Sequence, residues 1–353
     1  MKHLKLLLIF LPLTFIAKAF RLDEGFIFIS VCLSIVPLAV IIGDATEQIS
    51  LYTGPKIGGL LNATMSNIPE LLIGIFAVKA GFYSLVLASL AGSIMGNILL
   101  VLGFSIFLGG LRHKFQTFNK TIARSNFSLL AFAAISIIVP FTYKYTARFE
   151  KHPSDAITTL SLGIAIILLI IYILGLVFSL ITHRSVFVQH QDHEEEEPES
   201  PRWGLAHSVF VLAAATILIA IQSETLVSTV GHVIRQFRLS EVFIGIILIP
   251  ILGNVAENSS AMIMAIKNKV DISVEIAVGS SMQISLFVAP LLIILSFCLG
   301  KPMEYVFSPF QVVAMMLSIC LSAYVFQDGK TNWLEGVQLV SCYAILGLAF
   351  FVM

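Results

Sequence analysis

Charge is scarce in this sequence. Asp, Glu, Lys and Arg make up 12% of its 353 residues, and 21 basic and 21 acidic side chains leave no net charge. No basic tract is present to engage a polyanion, so a nucleic-acid partner is excluded. Cysteine is scarce as well. Cys32, Cys298, Cys320 and Cys342 are scattered through apolar runs with the spacing of neither a disulfide framework nor a zinc site, and they read as small buried hydrophobes. The apolar runs contain no His-Glu-x-x-His motif, since His193-Glu194 falls in a polar segment, and no Gly-x-Ser-x-Gly elbow. Both absences argue against an intramembrane enzyme. Nothing in the sequence calls for a cofactor.

Apolar residues are abundant instead: 58% of the chain, with a mean hydropathy of +0.95. Such a chain has the bilayer for solvent, and the fold class is an all-α polytopic membrane protein. A bilayer core takes about 20 apolar residues per helix. Counting such runs predicts eleven transmembrane helices, at 4–20, 26–51, 56–79, 82–110, 125–147, 156–182, 204–232, 241–266, 271–299, 305–326 and 332–352. The first segment, residues 1–20, has a basic start and an Ala17-Lys18-Ala19 that mimics a signal-peptidase site, so a cleaved signal and a membrane helix are both open to it. The segment 183–203 is polar and acidic and divides the chain near its middle. Its run Glu194 to Glu197 reads as a solvated linker. With the N-terminus in the cytoplasm, 12 Lys and Arg fall inside and 9 outside. The cluster Arg112, Lys114, Lys120 and Arg124 in one short loop decides the orientation, and the acidic linker is then cytoplasmic too.

Two stretches repeat. Asn67 and Asn254, Glu70 and Glu257, and Ser93 and Ser280 are each 187 positions apart, within "SNIPELLIGIFAVK" and "GNVAENSSAMIMAIK" and the following "LASLAGSIMGN" and "IAVGSSMQIS". Glu70 lies on the third predicted helix and Glu257 on the eighth, an odd separation, so the two copies cross in opposite senses. That is an inverted repeat of residues 26–182 and 204–352, the arrangement of many secondary transporters.

Asn67 and Glu70 share a helix face at i and i+3, as do Asn254 and Glu257. Pro69 and Pro250 lack an N–H, which frees the carbonyls of Met65 and Ile246, and Gly253 loosens the second helix further. Two carboxylates, two amides, the hydroxyls of Ser93, Ser280 and Ser281, the amides of Gln283 and Asn97, and loosened carbonyls form an oxygen-rich donor set. Hard cations take such sets, calcium with about 6–8 oxygens, and two glutamates balance one divalent ion. The bland alternative is that these groups only tie helices together. It weighs equally for the serines, and little for the glutamates, because intramembrane carboxylates are costly. Asp44, Glu47 and Glu224 divide evenly between an access path for ions and hydrated positions near the interface; Glu275 reads as a helix-end residue.

At "GGLLNATMSNIPELLIGIFA", "LASLAGSIMGNILLVLG", "FIGIILIPILGNVAENSSAMIMA" and "VEIAVGSSMQISLFVAP" the chain resembles the calcium/proton exchangers of the cation/calcium exchanger superfamily, in their bacterial form, over nearly its whole length. The resemblance implies eleven helices with the first, residues 1–20, retained outside the repeat. It implies a cell-membrane protein that exports calcium in exchange for protons. Glu70 and Glu257 match the family's central glutamates, Asn67 and Asn254 their companions, and Ser93, Ser280 and Gln283 polar positions on the partner helices. Two departures stand out: Ser66-Asn67-Ile68-Pro69 replaces the usual Gly-Asn-Ala before the first glutamate, and Asn258 holds a place where histidine is common. Without that histidine the carboxylates themselves carry the protons. A sodium/calcium or other cation exchanger on the same scaffold, and a passive channel, are the rival readings. Nothing in the sequence decides between a monomer and a homo-oligomer.

Overall fold

The computed structural model describes residues 2–146, 153–182 and 200–353; the run Glu194 to Glu197 lies outside the described residues. A short stretch, Lys2–Ile9, leads into α1 (Phe10–Ala19). There follow α2 (Glu24–Gly54), α3 (Ile57–Met65), α4 (Ile68–Ala80), α5 (Tyr83–Gly110), α6 (Lys120–Thr146) and α7 (Ala156–Thr182). Beyond the linker come α8 (Leu205–Phe237), α9 (Glu241–Gly253), α10 (Val255–Ile266), α11 (Val270–Cys298), α12 (Pro309–Val325) and α13 (Trp333–Val352). Among the described residues seven helices are long and apolar enough to cross a membrane, or nine when the bent pairs α3–α4 and α9–α10 each count as one.

The breaks have local causes. Gly54 adopts φ +78°, a backbone that side-chain-bearing residues rarely take, and it ends α2. The helices α3 and α4 meet at 43° across Ser66-Asn67, and Pro69 stands in the first turn of α4, where its missing N–H is harmless. The second break falls elsewhere than the proline suggested: α9 runs through Pro250 and turns by 65° only at Asn254. A π-helical stretch, Ile244–Leu248, precedes Pro250 and absorbs the missing donor.

By backbone contacts the chain forms two compact units. The first comprises residues 1–73, 170–236 and 252–256. In it α2 and α8 run antiparallel and pack through Leu38, Ile42, Ala215 and Ile219, with Leu8 and Leu11 against the same cluster. Polar ties hold the two ends. His232 Nδ1 lies 3.4 Å from Glu24 Oε2 at one, and Gln48 Oε1 accepts from Arg202 N at 2.7 Å at the other.

The second unit comprises residues 74–169, 237–251 and 257–353. Its axis is α5, of whose most apolar stretch 94% is buried. A β-carbon on Gly92 would sit 2.3 Å from the Ile246 carbonyl oxygen, and one on Gly245 2.6 Å from Ala88 Cβ, so α5 and α9 touch backbone to backbone. Gly103 and Gly336 bring α5 against α13 in the same way. By contrast, only 11% of the matching stretch of α7 is buried. An apolar helix that shows its side chains outward has lipid for a neighbour. The cysteines are all free, but Cys298 and Cys320 are exposed, against the expectation of burial; they sit on outward faces of α11 and α12, where an apolar side chain suits lipid as well as a core.

Gly92 and Gly279 occupy matching places in the two sequence copies but differ in surroundings, since a β-carbon on Gly279 meets nothing within 4 Å. Gly92→Ala should therefore cost about 1–3 kcal/mol by overpacking, read as a lowered Tm and yield in detergent. Gly279→Ala should be neutral or stabilising, by up to about 1 kcal/mol, as alanine is the better helix former. Equal behaviour of the two variants would show that the backbone contact is not what Gly92 serves.

Candidate ion-binding site

In the first unit the break between α3 and α4 carries Asn67 and Glu70. Glu70 stands in the first turn of α4, where the unpaired N–H groups of a helix start favour negative charge by about 0.3–1 kcal/mol. Its side chain is 6% exposed, and its carboxylate lies over Gly253: a β-carbon there would be 2.1 Å from Glu70 Oε1. Gly253 is thus the seat of the carboxylate as well as a weak point of α9. Next to it Asn254 is 2% exposed, and neither its Oδ1 nor its Nδ2 meets a hydrogen-bond partner among the described residues. A buried amide left so costs several kcal/mol, on the order of 1–3 by mutational measures, which suits a group kept for a ligand. Asn67 is more engaged, donating to Ser66 Oγ at 3.2 Å and to the Ala63 carbonyl at 3.4 Å.

In the second unit Glu257 stands in the first turn of α10, half-buried, so both glutamates follow a helix break by one turn or less. The hydroxyls divide. Ser93 on α5 is 1% exposed and its Oγ has no partner among the described residues. Ser280 on α11 accepts a hydrogen bond from Asn97 Nδ2 at 2.9 Å, and Ser281 donates to the Ala277 carbonyl at 3.0 Å. The helix-tying reading thus fits Ser281 and in part Ser280, and the ligand reading fits Ser93. Gln283, half-buried, immediately precedes a π-helical stretch at Ile284–Val288; Asn97 lies inside another at Gly96–Val101. Such widened turns recur at functional sites, and composition carries no signal for them.

Asp44 pairs with Lys5 at 2.7 Å, and Glu47, Glu224 and Glu275 are exposed. Among the described residues no three His, Cys, Asp or Glu side chains form a metal cluster. Each break is followed by a carboxylate, the kind of oxygen donor that a hard cation takes.

Alanine at position 253 would push the flexible Glu70 side chain aside without touching a helix contact of the backbone. Gly253→Ala should leave insertion and thermal stability near wild type and lower cation flux in vesicles by at least about tenfold, ~1.4 kcal/mol in barrier terms. Flux at the wild-type rate would remove Gly253 from the site.

Comparison with known proteins shows what the whole chain is similar to. The Ca2+/H+ antiporter ChaA of Bacillus subtilis (strain 168) is 45% identical over 342 residues, 97% of this chain and 96% of the relative. The crystal structure of the selenium-substituted Ca2+/H+ antiporter protein YfkE superposes with a TM-score of 0.85 at 39% identity, over 100% of both chains. The H+/Ca2+ exchanger CAX shares the fold, with a TM-score of 0.72 at 16% identity over 99% of this chain and 91% of the other. The profile described as "Sodium/calcium exchanger protein" matches residues 25–181 and 207–352, and with most of its length so matched the chain belongs to the sodium/calcium exchanger protein family.

Proposed function

We propose that this protein exports Ca2+ across the cell membrane in exchange for H+, by alternating access, with Glu70 and Glu257 as the two charges that hold either cargo. The observation that carries the reading is local. Each Asn-x-x-Glu stretch interrupts its helix, and each glutamate begins the half that follows. Asn254, Ser93, Ser280, Asn67 and Gln283 are the neutral donors. Support for calcium and protons as the pair comes from the relatives named for that exchange. The two profile matches, 25–181 and 207–352, support the two inverted halves. Adding the N-terminal helix and α12 to the nine apolar spans gives the eleven crossings of this reading, with the N-terminus and the acidic linker in the cytoplasm.

The chemistry needs no separate proton path. A carboxylate that takes a proton gives up the charge that held calcium, so the two cargoes compete for the same oxygens. Two protons per calcium would move no net charge; three would move one, worth ~2.3 kcal/mol per 100 mV.

Everted vesicles with an imposed pH gradient should accumulate calcium uphill. A sodium gradient should not replace the pH gradient; if it did, the sodium/calcium reading would take over. Dissipation without uphill flux would mark a channel. Glu70→Gln and Glu257→Gln, which keep shape and remove charge and titration, should each abolish exchange while the protein still inserts. The double variant should be no worse than either single one, because one lost carboxylate already breaks a shared site. Lowering pH on the loading side should raise the apparent KM for calcium in wild type. Exchange at the wild-type rate by Glu257→Gln would make that residue a structural tie.

Gln283 is a neutral donor without a counterpart in the first copy, where Gly96 stands. Gln283→Ala should weaken apparent calcium affinity and shift the preference among cations, and affinities unchanged for every cation tested would withdraw the assignment.

A further inference from the structure

Three separate segments of the second unit converge on one end of it. The strands β1 (Gln116–Thr117) and β2 (Lys330–Thr331) pair antiparallel, which joins the loop after α5 to the loop before α13. Gln116 Nε2 donates to the Ala265 carbonyl at 2.9 Å, and the Asn119 backbone N–H donates to Asp271, which draws in the turn between α10 and α11. Seven cations thereby share this end: Arg112, Lys114, Lys120, Arg124, Lys267, Lys269 and Lys330. The carboxylates here are turned to backbone N–H groups. Asp271 accepts from Asn119, Asp328 from Lys330 N at 3.0 Å, and Glu335 from Asn332 N at 3.0 Å.

Within this field lies a pocket of about 440 Å3 lined by Lys120, Arg124, Ser125 and Ser128. Lys120, Arg124 and Ser128 recur every four residues and so share one face of α6. Among the described residues neither Lys120 nor Arg124 forms an ion pair, and no acidic side chain lines the pocket. The lining side chains offer ammonium, guanidinium and hydroxyl donors. The stem of Lys120 is held against Gly329, where φ is +78° and a β-carbon would meet Lys120 Cγ at 2.6 Å. An anionic phosphate fits this chemistry: charge, planar and point donors, and hydroxyls to fill the remaining oxygens.

We propose that this pocket binds the phosphate of an anionic phospholipid headgroup. Its position argues for lipid as the source. It occupies the first turns of α6, where that helix enters its apolar span at Ala123. Below Ser128 the same helix exposes Phe132, Ile135 and Val139, an apolar row that continues the face of the pocket. The row ends at a groove between α6 and α7 lined by Val139, Tyr143, Leu160, Gly163 and Ile167. From Ser128 to Val139 is about 16 Å along a helix, close to the reach of an acyl chain. In the orientation proposed above this is the cytoplasmic leaflet, whose anionic lipids attract basic residues at the membrane surface.

The test uses the full-length protein in nanodiscs of phosphatidylcholine with a minority of phosphatidylglycerol, with retained lipid counted by native mass spectrometry. Wild type should retain phosphatidylglycerol over phosphatidylcholine by at least about fivefold, the scale of one surface cation's attraction. Lys120→Gln/Arg124→Gln should bring the ratio near one. Arg112→Gln/Lys114→Gln removes equal charge from the same end outside the pocket and should keep the preference. Should the first variant fail to fold, Ser125→Ala/Ser128→Ala serves in its place and should reduce retention at unchanged net charge. An unchanged ratio in the pocket variants overturns the proposal, as does an equal loss in Arg112→Gln/Lys114→Gln, which would mean a diffuse surface field. Displacement of the lipid by millimolar inorganic phosphate would reassign the pocket to a free anion and overturn it as a lipid site.

Discussion

A carbonyl or carboxylate released inside a bilayer has no water to turn to, and this single constraint organises the chain. Breaking a helix presents backbone oxygens at depth, and each break must then be housed. The Ile246 carbonyl, which lies in a π-helical turn, is met by the bare α-carbon of Gly92. The Ile98 carbonyl, within the widened turn of α5, accepts from Ser322 at 3.0 Å. The Ala265 carbonyl at the end of α10 accepts from Gln116. A glycine, a hydroxyl and an amide thus stand where a soluble protein would place solvent.

The same constraint is met by a different kind of interface in each unit. In the first, α2 and α8 meet through aliphatic side chains at their middles and keep their ionic and amide ties at the ends. Dispersion and shape hold the middle; charge is spent where water can share it. In the second, α5 is covered nearly all round, and backbone proximity replaces side-chain interdigitation at Gly92, Gly103 and Gly336.

Much of this was legible in the sequence, because lipid imposes long apolar runs and leaves few charges to explain. The apolar runs follow from composition, and an interruption close to Glu70 from Pro69. What could not be read was geometry that depends on a neighbour distant in sequence. Gly92 and Gly279 look alike in their two copies, yet only one abuts a carbonyl. Gly253 reads as a flexible joint and turns out to be the seat of Glu70. Pro250 signals a kink that the π-helical turn before it absorbs, so the bend moves to Asn254. Ser280 and Ser93 share a motif position, and their different engagement depends on Asn97, which sits in a widened turn no residue pattern announces.

The burial of α5 bears on how the chain is made. Its covering helices α9, α11, α12 and α13 all lie more than a hundred residues further along the sequence. While the ribosome is still working through the first half, α5 has left the translocon with Ser93, Asn97, Ser105 and its glycine faces turned to whatever is at hand. The helix designed to touch lipid least is therefore among those that must wait in it.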